Sequence, residues 1–116
     1  MNTNLSPSFD KRELRNALGS FGTGVTVVTS GTKKIRLVGV TANSFSSVSL
    51  DPPIVLWSLA SSSPSLEVFD SSGRFVINIL SLQQIDLSVR FSSNVSDKFD
   101  GVEFNEGIGG LPVLSN

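Results

Sequence analysis

Three stretches of the chain hold residues whose type and spacing can do chemistry. The first is Thr41-Ala42-Asn43-Ser44. Small side chains leave backbone N–H and C=O groups open, and these can hydrogen-bond the edge of a flat heterocycle. The same residues also suit a solvated sheet face with a serine-rich surface. The second is Ser58 to Ser65. Hydroxyls and free N–H groups converge there ahead of an expected helix N-terminus, where the macrodipole favours an anion such as phosphate. An ordinary N-cap with redundant serines reads the same way. The third is Arg90-Phe91 with Asp97-Lys98-Phe99. An arginine and a lysine near a helix end suit a phosphate or a second nucleotide, and they equally suit a solvated surface.

What the chain lacks narrows the chemistry further. It has 116 residues and neither Cys nor His. Thiol nucleophiles, disulfides, iron–sulfur ligation, a Ser-His-Asp triad and nearly every zinc site are excluded. There is no Tyr either. Any reaction here takes its reactive group from a cofactor, with the protein supplying position and polarity. The net charge is −1, from 9 basic and 10 acidic residues. A nucleic-acid binder would show a basic excess, because phosphate neutralisation supplies most of its affinity. No Lys/Arg cluster for an anionic membrane is visible. No apolar run approaches the roughly 18 residues of a membrane helix, and Met1-Asn2-Thr3-Asn4 lacks the basic-then-apolar order of a signal peptide. The expectation is a single cytoplasmic domain over 1–116.

The elements that must position these residues follow from periodicity and punctuation. Asp10 with Glu13 fits a capping box, and Phe9 with Leu14 the hydrophobic staple around it. Leu14, Ala17, Leu18 and Phe21 fall at helical spacing, which predicts a helix over about 10–19 with Gly19 as its stop. The β-branched run Gly24 to Ser30 predicts a strand. A turn over Gly31 to Lys34 and a second strand, Ile35 to Val40, make it a hairpin. Thr41 to Leu50 reads as a strand whose polar side chains line something, ended by Asp51-Pro52-Pro53. Ile54 to Leu59 reads as a buried strand. A second helix opens with Ser63 as N-cap and Pro64 in the first helical position, and Gly73 closes it. Arg74 to Leu80 is a further strand. Leu82 to Phe91 is a third helix, with Leu82, Ile85, Val89 and Phe91 inward. Ser92 to Gly110 is rich in Asn, Asp, Ser and Gly and reads as loose chain. The fold class is α+β, mainly β.

The order of five motifs carries a resemblance. They are Phe21 to Thr29, Gly39 to Pro53, Gly73 to Leu80, Lys98-Phe99 and Gly110 to Leu114. Together they resemble the flavin reductase-like FMN-binding split-barrel family, whose members include reductase components of two-component flavin monooxygenases. The resemblance implies a homodimeric split β-barrel with short peripheral helices, strands from about 24 onward, FMN or FAD as flavin and NADH or NADPH as hydride donor. It also implies a partner oxygenase that takes the reduced flavin. Thr41, Ala42, Asn43 and Ser44 would then meet the isoalloxazine edge, and Ser46 and Ser47 the reactive face. Ser58, Leu59, Ala60 and Ser61 would track the ribityl chain and phosphate. Arg90, Phe91 and Lys98 would close the phosphate or adenosine side. Two rivals stand beside this: a non-enzymatic FMN-binding or electron-carrier module, and an inactive fragment that only assembles with another chain. The family's domain continues past the Gly-Leu-Pro-Val-Leu motif, with further strands that commonly carry a His. The resemblance therefore implies a barrel incomplete at its C-terminus.

Overall fold

A computed structural model of the chain describes residues 12–13, 25–42 and 45–115. Arg12 and Glu13 are helical. The rest of the helix expected at about 10–19 lies outside the described residues.

The longest strands form the expected hairpin. β1 (Thr26–Thr32) pairs antiparallel with β2 (Arg36–Ala42), from Thr26 opposite Ala42 to Thr32 opposite Arg36. β5 (Val76–Ile79) flanks β1 on its other side, so the sheet order is β2-β1-β5. The turn falls later than the sequence suggests, because Gly31 stays in the ladder. Its φ is 86°, and a Cβ there would fall on the Arg36 carbonyl, so only glycine lets the two strands approach.

β1 is covered on both faces. Val28 packs with Val38, Ala42, Val68 and Phe69 on one side. Val27 packs with Phe91, Phe99 and Leu114 on the other. Period-2 alternation explains the split. The buried hydroxyls between them all find partners. Thr26 Oγ1 donates to the Ala42 carbonyl (2.9 Å), Thr29 Oγ1 to that of Pro112 (2.6 Å) and Ser30 Oγ to that of Arg74 (2.6 Å).

β3 (Ser46–Leu50) and β4 (Pro53–Leu56) form a separate hairpin with a bulge between Ser47 and Ser49. The expected buried strand over Ile54 to Leu59 is corrected here. It ends at Leu56, and Ile54 and Leu56 are 44% and 57% exposed. Among the described residues the hairpin pairs only with itself. Trp57 turns inward and meets Phe69 and Phe75 edge-on, at centroid distances of 5.0 and 5.5 Å.

α1 (Leu66–Ser72) begins later than predicted, with Ser65 and not Ser63 as N-cap. The Ser63 hydroxyl instead accepts from the Ser65 N–H (3.2 Å), shaping the turn ahead of the helix. Gly73 does close it, with φ 65° and its N–H on the Phe69 carbonyl.

The third helix turns inward at Phe91 as expected, but not at Leu82, Ile85 or Val89. A 3-10 turn (Leu82–Gln84) leads into α2 (Ile85–Phe91). Leu82, Ile85 and Val89 are exposed, whereas Gln84 and Phe91 are buried. The inward row is Gln84, Leu87 and Phe91, with i, i+3, i+7 spacing. Its first member is polar but satisfied: Gln84 Oε1 accepts from the Ser81 N–H (2.8 Å) and Nε2 donates to the Ser115 carbonyl (2.9 Å). Hydropathy alone selects the wrong face when a buried position holds an amide with partners.

The segment expected to be loose contains a strand. β6 (Phe104–Glu106) pairs with β7 (Pro112–Leu114). The buried Asn78 of β5 anchors this hairpin. Its Nδ2 donates to the Val27 carbonyl and Thr29 Oγ1, and its Oδ1 accepts from the Leu114 N–H (2.9 Å). The described residues are thus mainly β with two short helices, and none of their helices is long and apolar enough to cross a membrane.

Candidate functional site

β2 is an edge of its sheet, and one side of it opens into a cleft of about 650 Å³. Four pieces of chain enclose it: Lys33 of the β1–β2 turn, Arg36 to Gly39 of β2, Pro64 and Ser65 ahead of α1, and the loop Ser93 to Lys98. That volume lies in the usual range for a small-ligand site, about 300–1,000 Å³.

Packing behind the cleft fixes its floor. Phe91, at the end of α2, is 1% exposed and abuts Gly39. A Cβ on Gly39 would lie 2.6 Å from the Phe91 ring, so the strand approaches the helix only because it carries glycine there. Phe91 stacks edge-on against Phe99 (5.1 Å), and Phe99 against Phe104 (5.3 Å).

Cations shape the rim. Arg90 Nε donates to the Lys98 carbonyl (2.6 Å) and Nη2 to that of Asp97 (3.0 Å), which pins the loop to α2. Lys98 Nζ donates to the Phe91 carbonyl (3.0 Å) at the C-terminal end of the helix. Burial lowers the Lys98 pKa from the ordinary lysine value. The Asp97 carboxylate accepts from the Phe99 N–H (3.2 Å). Lys33, Arg36 and Lys98 line the cleft against the single carboxylate of Asp97, so it suits an anion.

The expected site residues fall into groups. Arg90, Phe91 and Lys98 do come together at the cleft, but in different roles. Lys98 lines it, Arg90 shapes its loop, and the buried Phe91 backs it without presenting surface to a ligand. Thr41 and Ala42 continue β2 beyond Gly39. Thr41 Oγ1 donates to the Ser88 carbonyl of α2 (2.6 Å), which ties the strand to the helix. Asn43 and Ser44 lie outside the described residues. Ser46 and Ser47 are exposed on β3. Ser58, Ala60 and Ser61 are exposed after β4, while Leu59 packs on the Val28 cluster. The cleft begins only at Pro64 and Ser65, so it does not gather Ser58 to Ser61. α1, whose N-terminus follows these serines, has seven residues. Of the cleft residues, Ser65 belongs to the expected Ser58 to Ser65 stretch, whereas sequence reasoning missed Lys33, Arg36 and Gly39 as site residues. The signal for the first two was the run Lys33-Lys34-Ile35-Arg36, with three cations in four residues.

Comparison with known proteins adds the relatives. Residues 18–116 match the family model described as flavin reductase like domain. The chain is 48% identical over 105 residues to "FMN reductase (NADH) SmoA" of Agrobacterium fabrum (strain C58), covering 90% of this chain and 59% of that protein. It is 38% identical over 110 residues to "Flavin-dependent monooxygenase, reductase subunit HsaB" of Mycobacterium tuberculosis (strain ATCC 25618 / H37Rv), covering 95% and 58%. The crystal structure described as nitrilotriacetate monooxygenase component B from Mycobacterium thermoresistibile superposes with a TM-score of 0.75 at 39% identity, over 92% of this chain and 59% of that one. The central sheet and its flanking hairpins are of the split-barrel type that such neighbours adopt. The chain spans from 28% to 59% of the length of the curated relatives it matches.

Proposed function

The chain belongs to the flavin reductase-like domain family, and we propose that it binds FMN or FAD, positions it for reduction by NADH or NADPH, and yields reduced flavin to a partner monooxygenase. The observation that carries this reading is the cationic cleft lying along the same strand as Thr41 and Ala42. From Gly39 to Ala42 is three strand residues, about 10 Å at the usual rise, a span on the scale of a ribityl chain. The donor set fits a flavin: cations and hydroxyls line one end, and the small residues expected at the ring edge follow Gly39 at the other. Neither nucleophile nor acid–base pair is required of the chain. Bound flavin supplies the redox chemistry by accepting hydride from the nicotinamide.

The chain's own contribution is positional. Lys98 holds the anionic end of the flavin. Thr41, held by Ser88, keeps the strand end in place beside the expected ring-binding segment of Asn43, Ser44, Ser46 and Ser47. Ser58, Leu59, Ala60 and Ser61 extend this rim. A homodimer fits the same reading, since Val48, Ile54 and Leu56 leave an apolar face on the β3–β4 hairpin.

Fluorescence titration with FMN, followed by NADH and by NADPH under absorbance detection, tests the proposal. Binding followed by flavin bleaching and nicotinamide oxidation is the expected result. Bound flavin that neither nicotinamide reduces would make the chain a carrier module, and no binding would remove the flavin reading.

A further inference from the structure

We propose that the β1–β2 turn and the first residue of β2 carry a specificity determinant: Lys33 and Arg36 share the cleft with Lys98 and act with it as a clamp for the diphosphate–nucleoside half of a dinucleotide. The inference rests on the flavin-binding reading and extends it to the choice among nucleotides.

Three observations point this way. The first is size. A cleft of about 650 Å³ far exceeds the room a lone phosphate needs, since a water's share of liquid volume is about 30 Å³ and a phosphate is only a few times larger. A nucleoside would fill the remainder, with Leu37, Pro64 and Val95 as apolar lining for a base and Ser93 and Asn94 as polar partners for a ribose.

The second is the state of the cations. The Arg36 guanidinium is exposed and makes no hydrogen bond or ion pair among the described residues. All five of its donors are available, in the fork geometry that suits phosphate oxygens. Lys98 is anchored through one bond to Phe91 and keeps two ammonium protons for a ligand. Lys33 sits over the Phe104 ring at 5.5 Å, which holds its chain at the rim without using its donors.

The third is placement. These cations cluster at the Arg36 end of β2, and the expected ring-binding segment begins at its Ala42 end. A mononucleotide anchored by its ring would reach toward the cleft with one phosphate. A dinucleotide would enter it.

Calorimetric titration of the full chain and of Arg36→Gln and Lys33→Gln with riboflavin, FMN, FAD, ADP, NADH and NADPH tests this. Lys33 is an exposed turn residue and Arg36 the exposed first residue of β2, so thermal melts should match the parent. The expected result is measurable ADP binding to the parent and a loss of affinity on the order of tenfold for ADP and FAD in Arg36→Gln. Riboflavin should be unchanged and FMN changed little. A loss confined to NADH, NADPH and ADP also supports the clamp and assigns its occupant to the nicotinamide side. Equal losses for FMN and FAD, or no change for any dinucleotide, would overturn it. If riboflavin and FMN fail to bind the parent but ADP binds and loses affinity in Arg36→Gln, the flavin reading fails and the clamp stands.

Discussion

Lys98 joins stability to ligand binding through one ammonium group. Burial lowers its pKa below the unfolded value, so in the alkaline window between the two the unfolded chain holds more protons. The burial cost is present in full below the folded pKa and is relieved as pH rises through that window. An anion in the cleft favours the charged form and opposes the shift. FMN affinity should therefore weaken with rising pH earlier than an ordinary lysine would cause, and in Lys98→Met that component of the pH dependence should vanish. Dissociation constants measured from neutral to alkaline pH check this. Gly39 is a second single-residue test. Gly39→Ala drives a methyl into the Phe91 ring. It should cost about 1–3 kcal/mol from overpacking, seen as a lower urea midpoint, and should loosen the cleft floor.

The β6–β7 hairpin shows what holds an element that short. Three-residue strands have little stability of their own. This pair is held by side chains reaching from the central sheet, Asn78 to the Leu114 N–H and Thr29 to the Pro112 carbonyl, and by Gln84 of the 3-10 turn, which donates to the Ser115 carbonyl just past β7. Asn78→Ala leaves the Leu114 N–H buried without its partner. The expected cost is about 3 kcal/mol, since each orphaned buried group costs about 1–3. Hydrogen exchange should show Leu114 and its neighbours losing protection before β1 does. Equal loss across β1 and β7 would mean that the network supports the sheet and not the hairpin alone.

At the scale of the whole molecule, two groups of exposed apolar side chains stand out among the described residues. The β3–β4 hairpin exposes Val48, Ile54 and Leu56, and α2 exposes Leu82, Ile85 and Val89. Folded monomers rarely leave such groups contiguous, and the homodimer of the proposed function would cover the hairpin face. Light scattering should give twice the chain mass. Leu56→Lys should return the particle to one chain mass without lowering the thermal midpoint, because Leu56 already faces solvent in the single chain. A dimer that survives Leu56→Lys would place the contact elsewhere. Binding should respond to salt in step with ligand charge: added salt weakens FMN binding more than riboflavin binding, since only FMN carries phosphate.

The sequence alone determined the features whose causes are local. The valine-rich run of β1, its hairpin with β2 and the glycine stop at Gly73 follow from β-propensity, alternation and the freedom of glycine at positive φ. Its small polar tracts and missing His, Cys and Tyr also bounded the chemistry to a borrowed cofactor. Tertiary structure decided the rest. Hydropathy states how strongly a side chain prefers burial, not which neighbours it meets. It therefore selected Leu82, Ile85 and Val89 over Gln84, whose partners include the distant Ser115. It buried a strand that in the fold pairs only within its own hairpin. The cleft itself joins Lys33 and Arg36 to Lys98 because β2 is a sheet edge and α2 folds back over Gly39. No local pattern encodes that meeting, since it depends on the whole chain closing around β1.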